Sequence, residues 1–347
     1  MKVGLFDHVE ASGAPLSTIF DERLKFAAAA DDCGFYCLHV AEHHCTPLNM
    51  VPVPGVYLAA LARATKRIHL GPLVYLLPLY SPLRLAEEIC MLDHLSGGRF
   101  EVGVGRGVSP FELNFHNIAH EKSRGIFLEA LECLRTALGG ETFSFKGERY
   151  SYEQAPMPLR PLQRPMPAFW YASSNVESSA WAGETGMHFT TNGPTARARD
   201  NIKAYRAGLA KRSGPVHPKS EFPGGAAVGV LRHIVVADTD REAEQIARPA
   251  FEHHLSSLNW LRDRAGSDEF TQRLNVHTGI DYESCRSNGM LIVGAPETVF
   301  FEIVRQHAEL GLNYLLTYLL FGTMSLTDAL RSLRLFESEI MPRIAAL

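Results

Sequence analysis

The stretch IHLGPLVYLLPLYSPLRLAEEICMLDHLSGGRFEVGVGRG, residues 68–107, contains one strand, one helix and a second strand. Residues 68–78 form a long apolar run without alternating polar side chains, which predicts a strand that is buried on both faces. The helix 81–98 has Pro82 in its first turn, and residues 99–107 form the next strand. This order of elements predicts a parallel sheet that is covered by helices.

The same pattern recurs along the chain, which predicts eight strand–helix units. Besides the two strands above, the predicted strands are KVGLFD (2–7), YCLHVAEHH (36–44), AFWYASS (168–174), MHFTTN (187–192), GVLRHIVVAD (229–238) and NYLLTYLLFG (313–322). We therefore predict a single α/β domain, residues 1–347, with the fold of a (β/α)8 TIM barrel. A β-hairpin is predicted at 141–154, after the fourth helix, and a closing helix at 325–344.

The alternative fold is an open, doubly wound sheet in two lobes. A lone glycine motif, Gly103-x-Gly105-x-Gly107, lies in the fourth strand. It does not favour this alternative, because it lacks the early βαβ context and the downstream acid of a dinucleotide fingerprint.

Composition excludes several classes of function. The chain is 46% hydrophobic and 21% charged, with a net charge of −4, and it has no long block of like charge. Neither nucleic acid nor a membrane surface is therefore an expected partner. No apolar run approaches the roughly 20 residues of a membrane-spanning helix, and no signal-peptide run opens the chain. The six cysteines include no CxxC pair, which predicts reduced thiols and a cytoplasmic location.

Two adjacent histidines stand at the carboxyl end of the second predicted strand, in VAEHHCTPLN (40–49). Active sites of such barrels lie at the carboxyl ends of the strands. His43 and His44 are not expected to share a metal ion, because neighbouring residues of a strand point to opposite faces. Either an imidazole here transfers protons, or both rings only hydrogen-bond their own loop.

Four stretches occur in the same order as in a known family: GFYCLHVAEHH (34–44), residues 70–107, SSNVESSAWAGETG (173–186) and VGAPETV (293–299). They resemble the bacterial luciferase-like family of flavin-dependent monooxygenases. The resemblance implies a TIM barrel that binds reduced FMN, supplied by a separate flavin reductase. Such enzymes use dioxygen, through a C4a-peroxyflavin, to insert one oxygen atom into a small organic substrate. His43 matches the first histidine of the family's E-H-H motif and would transfer the proton, with His44 as the second candidate.

The same resemblance assigns residues to the FMN phosphate. Arg106, at the end of the fourth strand, offers a permanently charged fork for a dianion. Ser173, Ser174, Asn175 and Ser178 precede the predicted helix AWAGETG (180–186), so their backbone N–H groups and hydroxyls suit a phosphate at a helix N-terminus. The alternative is an ordinary helix cap with surface serines.

The resemblance also leads to expectations at three other places in the chain. A bulge with a non-prolyl cis peptide is expected at Leu73-Val74, under the flavin ring. Glu177 would oppose a phosphate unless it turns away. Gly105 stands where the light-emitting subunit of luciferase has a cysteine, which implies a different substrate.

Two regions outside the site also carry predictions. The long polar stretch 262–288 follows the seventh strand and helix and is predicted to be a lid; the alternative is a disordered excursion. Family members dimerise through early helices, and the alanine-rich helix 20–34 predicts a homodimer.

Two other functions are left open. One is a hydride-transferring oxidoreductase of the same superfamily that uses a deazaflavin or FMN. The other is a non-catalytic subunit that binds flavin.

Overall fold

Parallel strands close into a barrel in the computed structural model, which describes residues 1–265 and 280–347. The described strands are β1 Lys2–Asp7, β2 Cys37–Val40, β3 His69–Pro72, β4 Tyr75–Leu76, β5 Val102–Gly105, β6 Thr142–Lys146, β7 Ser151–Pro156, β8 Phe169–Ala172, β9 His188–Thr191, β10 Val228–Val236, β11 Leu291–Gly294 and β12 Tyr314–Tyr318.

The barrel runs β1, β2, β3 with β4, β5, β8, β9, β10 and β12, and β12 pairs with β1. Strands β3 and β4 are two halves of the third predicted strand: β3 pairs with β2, and β4 pairs with β5. All these pairings are parallel, and every residue of β5 and β12 is buried. The predicted TIM barrel is confirmed. Residues 68–78 lack alternating polar side chains because helices cover the outer face of this strand.

Helices surround the barrel. Those of the described residues are α1 Leu16–Asp32, α2 Pro54–Ala64, α3 Pro82–Ser96, α4 Pro110–Phe115, α5 Ser123–Gly139, α6 Val176–Thr185, α7 Thr195–Leu209, α8 Asp240–Ala265, α9 Tyr282–Ser287, α10 Pro296–Leu310, α11 Leu326–Leu335 and α12 Met341–Ile344. Local signals set several ends: α3 begins at a proline and ends on Gly97, whose φ of 68° suits a residue without a Cβ.

The closing helix and two short elements differ from the sequence predictions, whereas the predicted hairpin agrees with them. The closing helix is interrupted, since a π-helical segment, Phe336–Ile340, separates α11 from α12. The hairpin after α5 is present as the antiparallel pair β6 and β7. Two short elements were not predicted: β11, of four residues, pairs with β10, and α4, of six residues, follows β5. Elements this short hold too few residues to show a period.

The predicted lid, 262–288, falls largely outside the described residues. Its two ends are helical, because α8 continues to Ala265 and α9 occupies Tyr282–Ser287. The rest of the predicted lid, 266–279, lies outside the described residues.

All six cysteines are unpaired, and Cys45 alone among them is exposed. Among the described helices, none is both long enough and apolar enough to cross a membrane.

Candidate active site

The two histidines lie in the loop that follows β2, at the mouth of the barrel. His43 Nδ1 is 3.1 Å from Glu112 Oε1, and its side chain is 23% exposed, against 4% for Glu112. Glu112 belongs to α4, which begins at the N-cap Ser109 directly after β5. This short helix therefore brings a buried carboxylate from the end of β5 against the histidine loop that follows β2.

His44 points to a different carboxylate. Its Nε2 is 2.9 Å from Glu42 Oε1, while its backbone N–H donates to Glu112 Oε2 over 2.9 Å. Glu42 Oε2 accepts hydrogen bonds from the backbone N–H of Leu76, at 3.0 Å, and the hydroxyl of Tyr80, at 2.9 Å. The two imidazoles thus contact separate carboxylates and are not arranged to share one ion.

Electrostatics favour a charged contact between His43 and Glu112. Burial of the His43 ring lowers its pKa, but the adjacent Glu112 carboxylate and the nearby Glu42 outweigh burial, so the pKa of His43 is raised. Burial would raise the pKa of Glu112, but His43 outweighs it and the pKa is lowered. Because burial dominates at Glu42, the pKa of that carboxyl is raised despite its hydrogen bonds. His43 is therefore a group that can hold a proton near neutral pH.

The third barrel strand is interrupted at the expected place. The Leu73-Val74 peptide bond is cis, in the gap between β3 and β4. A Cβ built on Gly105 would lie 2.3 Å from Cγ2 of Val74. The glycine of β5 therefore leaves the space that Val74 occupies, and a cysteine here would collide with it.

Cationic side chains gather at the ends of β5 and β8. Val104 of β5 pairs with Tyr171 of β8, so these two strands end side by side. Arg106 follows the end of β5 and therefore lies beside the end of β8. Burial raises the pKa of Tyr171, opposed by a hydrogen bond with Ser178 and by the charges of Arg106 and Arg124. The barrel mouth thus carries two arginines close to one buried tyrosine.

The helix that the sequence assigned to phosphate binding begins at this cluster. Asn175 is the N-cap of α6, and its Oδ1 accepts from the backbone N–H of Ser178 at 3.0 Å. Ser173 Oγ accepts from the backbone N–H of Asn175 at 3.0 Å, and Ser174 is exposed. Glu177 is 79% exposed and lies 3.3 Å from Arg124. The start of α6 therefore has the hydrogen bonds of an ordinary helix cap.

Glu112 and its helix were missed by the sequence predictions. Ser109, Pro110 and Glu112 form a typical helix start, a signal that could have revealed α4. No local signal shows that the Glu112 carboxylate reaches His43, because 69 residues separate the two in the chain.

Other proteins with this sequence pattern and fold are known. The family model for luciferase-like monooxygenases matches residues 1–314. The uncharacterized protein y4wF of Sinorhizobium fredii is 37% identical over 344 residues, which cover 98% of this chain and 96% of that protein.

Two solved structures share the fold. Monooxygenase RslO1 from Streptomyces bottropensis superposes with a TM-score of 0.86 at 24% identity, covering 99% of this chain and 100% of that one. The oxygenating constituent of 3,6-diketocamphane monooxygenase from Pseudomonas putida, solved in complex with FMN, superposes with a TM-score of 0.81 at 23% identity, covering 99% and 98%. Because the family model matches residues 1–314, this chain belongs to the luciferase-like monooxygenase family.

Proposed function

We propose that this protein is the oxygenase component of a two-component monooxygenase that uses reduced FMN and dioxygen to oxygenate a small organic substrate. The observation that carries the proposal is the contact between the half-buried His43 and the buried Glu112 at the barrel mouth. It lies at the same end of the barrel as the Leu73-Val74 bulge and the arginines that follow β5. A separate reductase would supply the flavin, as the name "oxygenating constituent" implies for the diketocamphane enzyme.

The residues at the mouth fit FMN. Arg106 is partly buried, and no carboxylate of the described residues lies within ion-pair distance of it. A half-buried guanidinium without an anionic partner suits a phosphate, with Arg124 and the N–H groups at the start of α6 in support. The interrupted strand at Leu73-Val74 would support the flavin ring beside Gly105.

His43 would move the proton. Its Nδ1 faces Glu112, which fixes the orientation of the ring, so Nε2 is the atom available to exchange a proton at the mouth. Within the described part of the chain, Nε2 has no hydrogen-bond partner. Reduced FMN, when bound, supplies the electrons that activate dioxygen, while the protein excludes water and places the imidazole.

Oxygen consumption tests this proposal. Wild-type protein, an added flavin reductase, NADH and FMN should consume oxygen and yield a product carrying one atom of labelled dioxygen from a member of a panel of aldehydes, sulfur compounds and aromatics. The control is His43→Ala, which should bind FMN without forming product.

Two results would favour the other functions. Anaerobic turnover with a reduced deazaflavin and a carbonyl substrate would indicate hydride transfer. FMN binding without turnover by either route would indicate a non-catalytic subunit.

A homodimer remains part of the proposal, but α1 is not its basis. Ala27 and Ala30 are fully buried against the barrel, so the alanine-rich face packs within the chain. Helices α2 and α3, which pack together, instead expose Val56, at 74%, and Met91, at 55%. Light scattering would show a dilute monomer with full activity if the dimer is wrong.

A further inference from the structure

A second group of buried polar side chains lies beside His43, at the carboxyl ends of β1 and β12. His8 and Glu10 follow β1, and His254 projects from α8; each is at least nine-tenths buried. The His8 ring centroid is 5.4 Å from that of His43 and 5.8 Å from that of His254. None of these three residues was singled out by the sequence motifs.

The group contains polar atoms that no described side chain satisfies. His8 Nδ1 and Glu10 Oε2 are buried without a hydrogen-bond partner, and so is His233 Nε2. The ring of His233 is 4.6 Å from that of His254, between centroids. A buried polar atom without a partner costs free energy, so either buried water or a ligand must complete atoms of this kind.

The remaining contacts hold the group in place. Glu10 Oε1 accepts a hydrogen bond from the Tyr318 hydroxyl at 2.7 Å and lies 2.8 Å from His254 Nδ1. One nitrogen each from His8 and His254 and one oxygen from Glu10 lie within 4.8 Å of one another. A tyrosine that fixes a carboxylate is the kind of outer support found around metal ligands.

We propose that His8, Glu10 and His254 bind a divalent transition-metal ion. Two imidazoles and a carboxylate form a donor set that suits Zn²⁺, Co²⁺ and related ions. The ion would replace the proton between His254 and Glu10 and tie α8 to the end of β1. This site is distinct from His43 and His44 and does not rest on the proposed function.

The test uses full-length protein without a histidine tag, stripped with EDTA and titrated with Co²⁺. We expect one ion per chain, with a visible ligand-field band that Zn²⁺ abolishes by competition, and a higher Tm with either ion. Glu10→Gln and His254→Ala should each weaken Co²⁺ binding by more than about tenfold. His253→Ala is the matched control: this neighbour on α8 contacts the backbone oxygen of Ala11 and should bind Co²⁺ as wild type does.

Two results would overturn the proposal. Wild-type protein that shows no ligand-field band and no rise in Tm would mean that buried water completes these atoms. Equal Co²⁺ binding by wild type, Glu10→Gln and His254→Ala would place any bound ion elsewhere. Should either variant fail to fold, His8→Phe, which removes a ligand from the end of β1, replaces it and is expected to show the same loss.

Discussion

The two ends of the barrel both contain a buried glutamate that contacts a histidine, but the two carboxylates are held by different partners. At the amino end, Glu101 Oε1 accepts from the Tyr36 hydroxyl at 2.6 Å and lies 2.8 Å from His69 Nδ1. Its Oε2 accepts from Nε1 of Trp170. At the carboxyl end, Nε2 of His43 has no partner among the described residues.

The pKa shifts do not separate the two pairs, because burial lowers the pKa of both His69 and His43 and the adjacent glutamate outweighs it in each case. Glu101 is fully buried, yet its hydrogen bonds and the nearby His69 and His188 hold its pKa at about 2. Burial lowers the pKa of His188 to about 4, and its Nδ1 accepts from the backbone N–H of Ala227. A buried carboxylate is therefore no sign of function by itself. A histidine–glutamate pair at the carboxyl ends of the strands is a stronger sign, because active sites of such barrels lie there.

The largest expected effect separates the two ends directly. His43→Ala should lower turnover by about 10²–10⁴, the usual contribution of a positioned acid or base, while FMN affinity stays nearly unchanged. Steady-state rates and FMN titration measure this.

His69→Ala, at the opposite end, is the control and should leave turnover per folded molecule unchanged. If His43→Ala and His44→Ala instead lose a little activity and thermal stability together, the pair only holds its loop.

The second effect concerns the arginine at the mouth. Arg106→Ala should weaken reduced FMN binding by about 1.5–3 kcal/mol, the range for a charge-assisted hydrogen bond. Anaerobic titration with riboflavin, which lacks the phosphate, should show almost no change. An equal loss for both ligands would show that Arg106 supports the fold instead.

The third effect belongs to the amino end. Glu101→Gln should lower the free energy of unfolding by about 1–3 kcal/mol, because buried donors lose a charged acceptor. Since the folded pKa lies below its ordinary value of 4.5, this stabilisation is present above pH 4.5 and is lost as pH falls towards 2. Urea unfolding at several pH values should show the two proteins converging in acid. A parallel loss of turnover per folded molecule would contradict the comparison.

The smallest effect is a shift in pH dependence. Glu112→Gln removes the charge that raises the pKa of His43, so the limb of the turnover profile that reports this group should move to lower pH. Rate against pH, at saturating FMN, measures it. An unshifted limb would mean that a different group controls it.

The sequence by itself determined the barrel and placed His43 and His44 after its second strand. Unbroken apolar strands, glycine and proline at helix ends, and the order of these elements are local signals, and they placed His43 at a strand end correctly. The interrupted strand at Leu73-Val74 was also expected, from the family pattern.

Only the tertiary structure decided what these residues touch. Barrel closure brings Glu112 to His43, and it brings His254 to Glu10 across 244 residues of chain. Such contacts depend on which strand ends become neighbours and on side-chain direction, and neither leaves a period or a cap in the sequence. The need for a glycine at position 105 also depends on the tertiary structure. Val74 occupies the space beside Gly105 only because β4 pairs with β5.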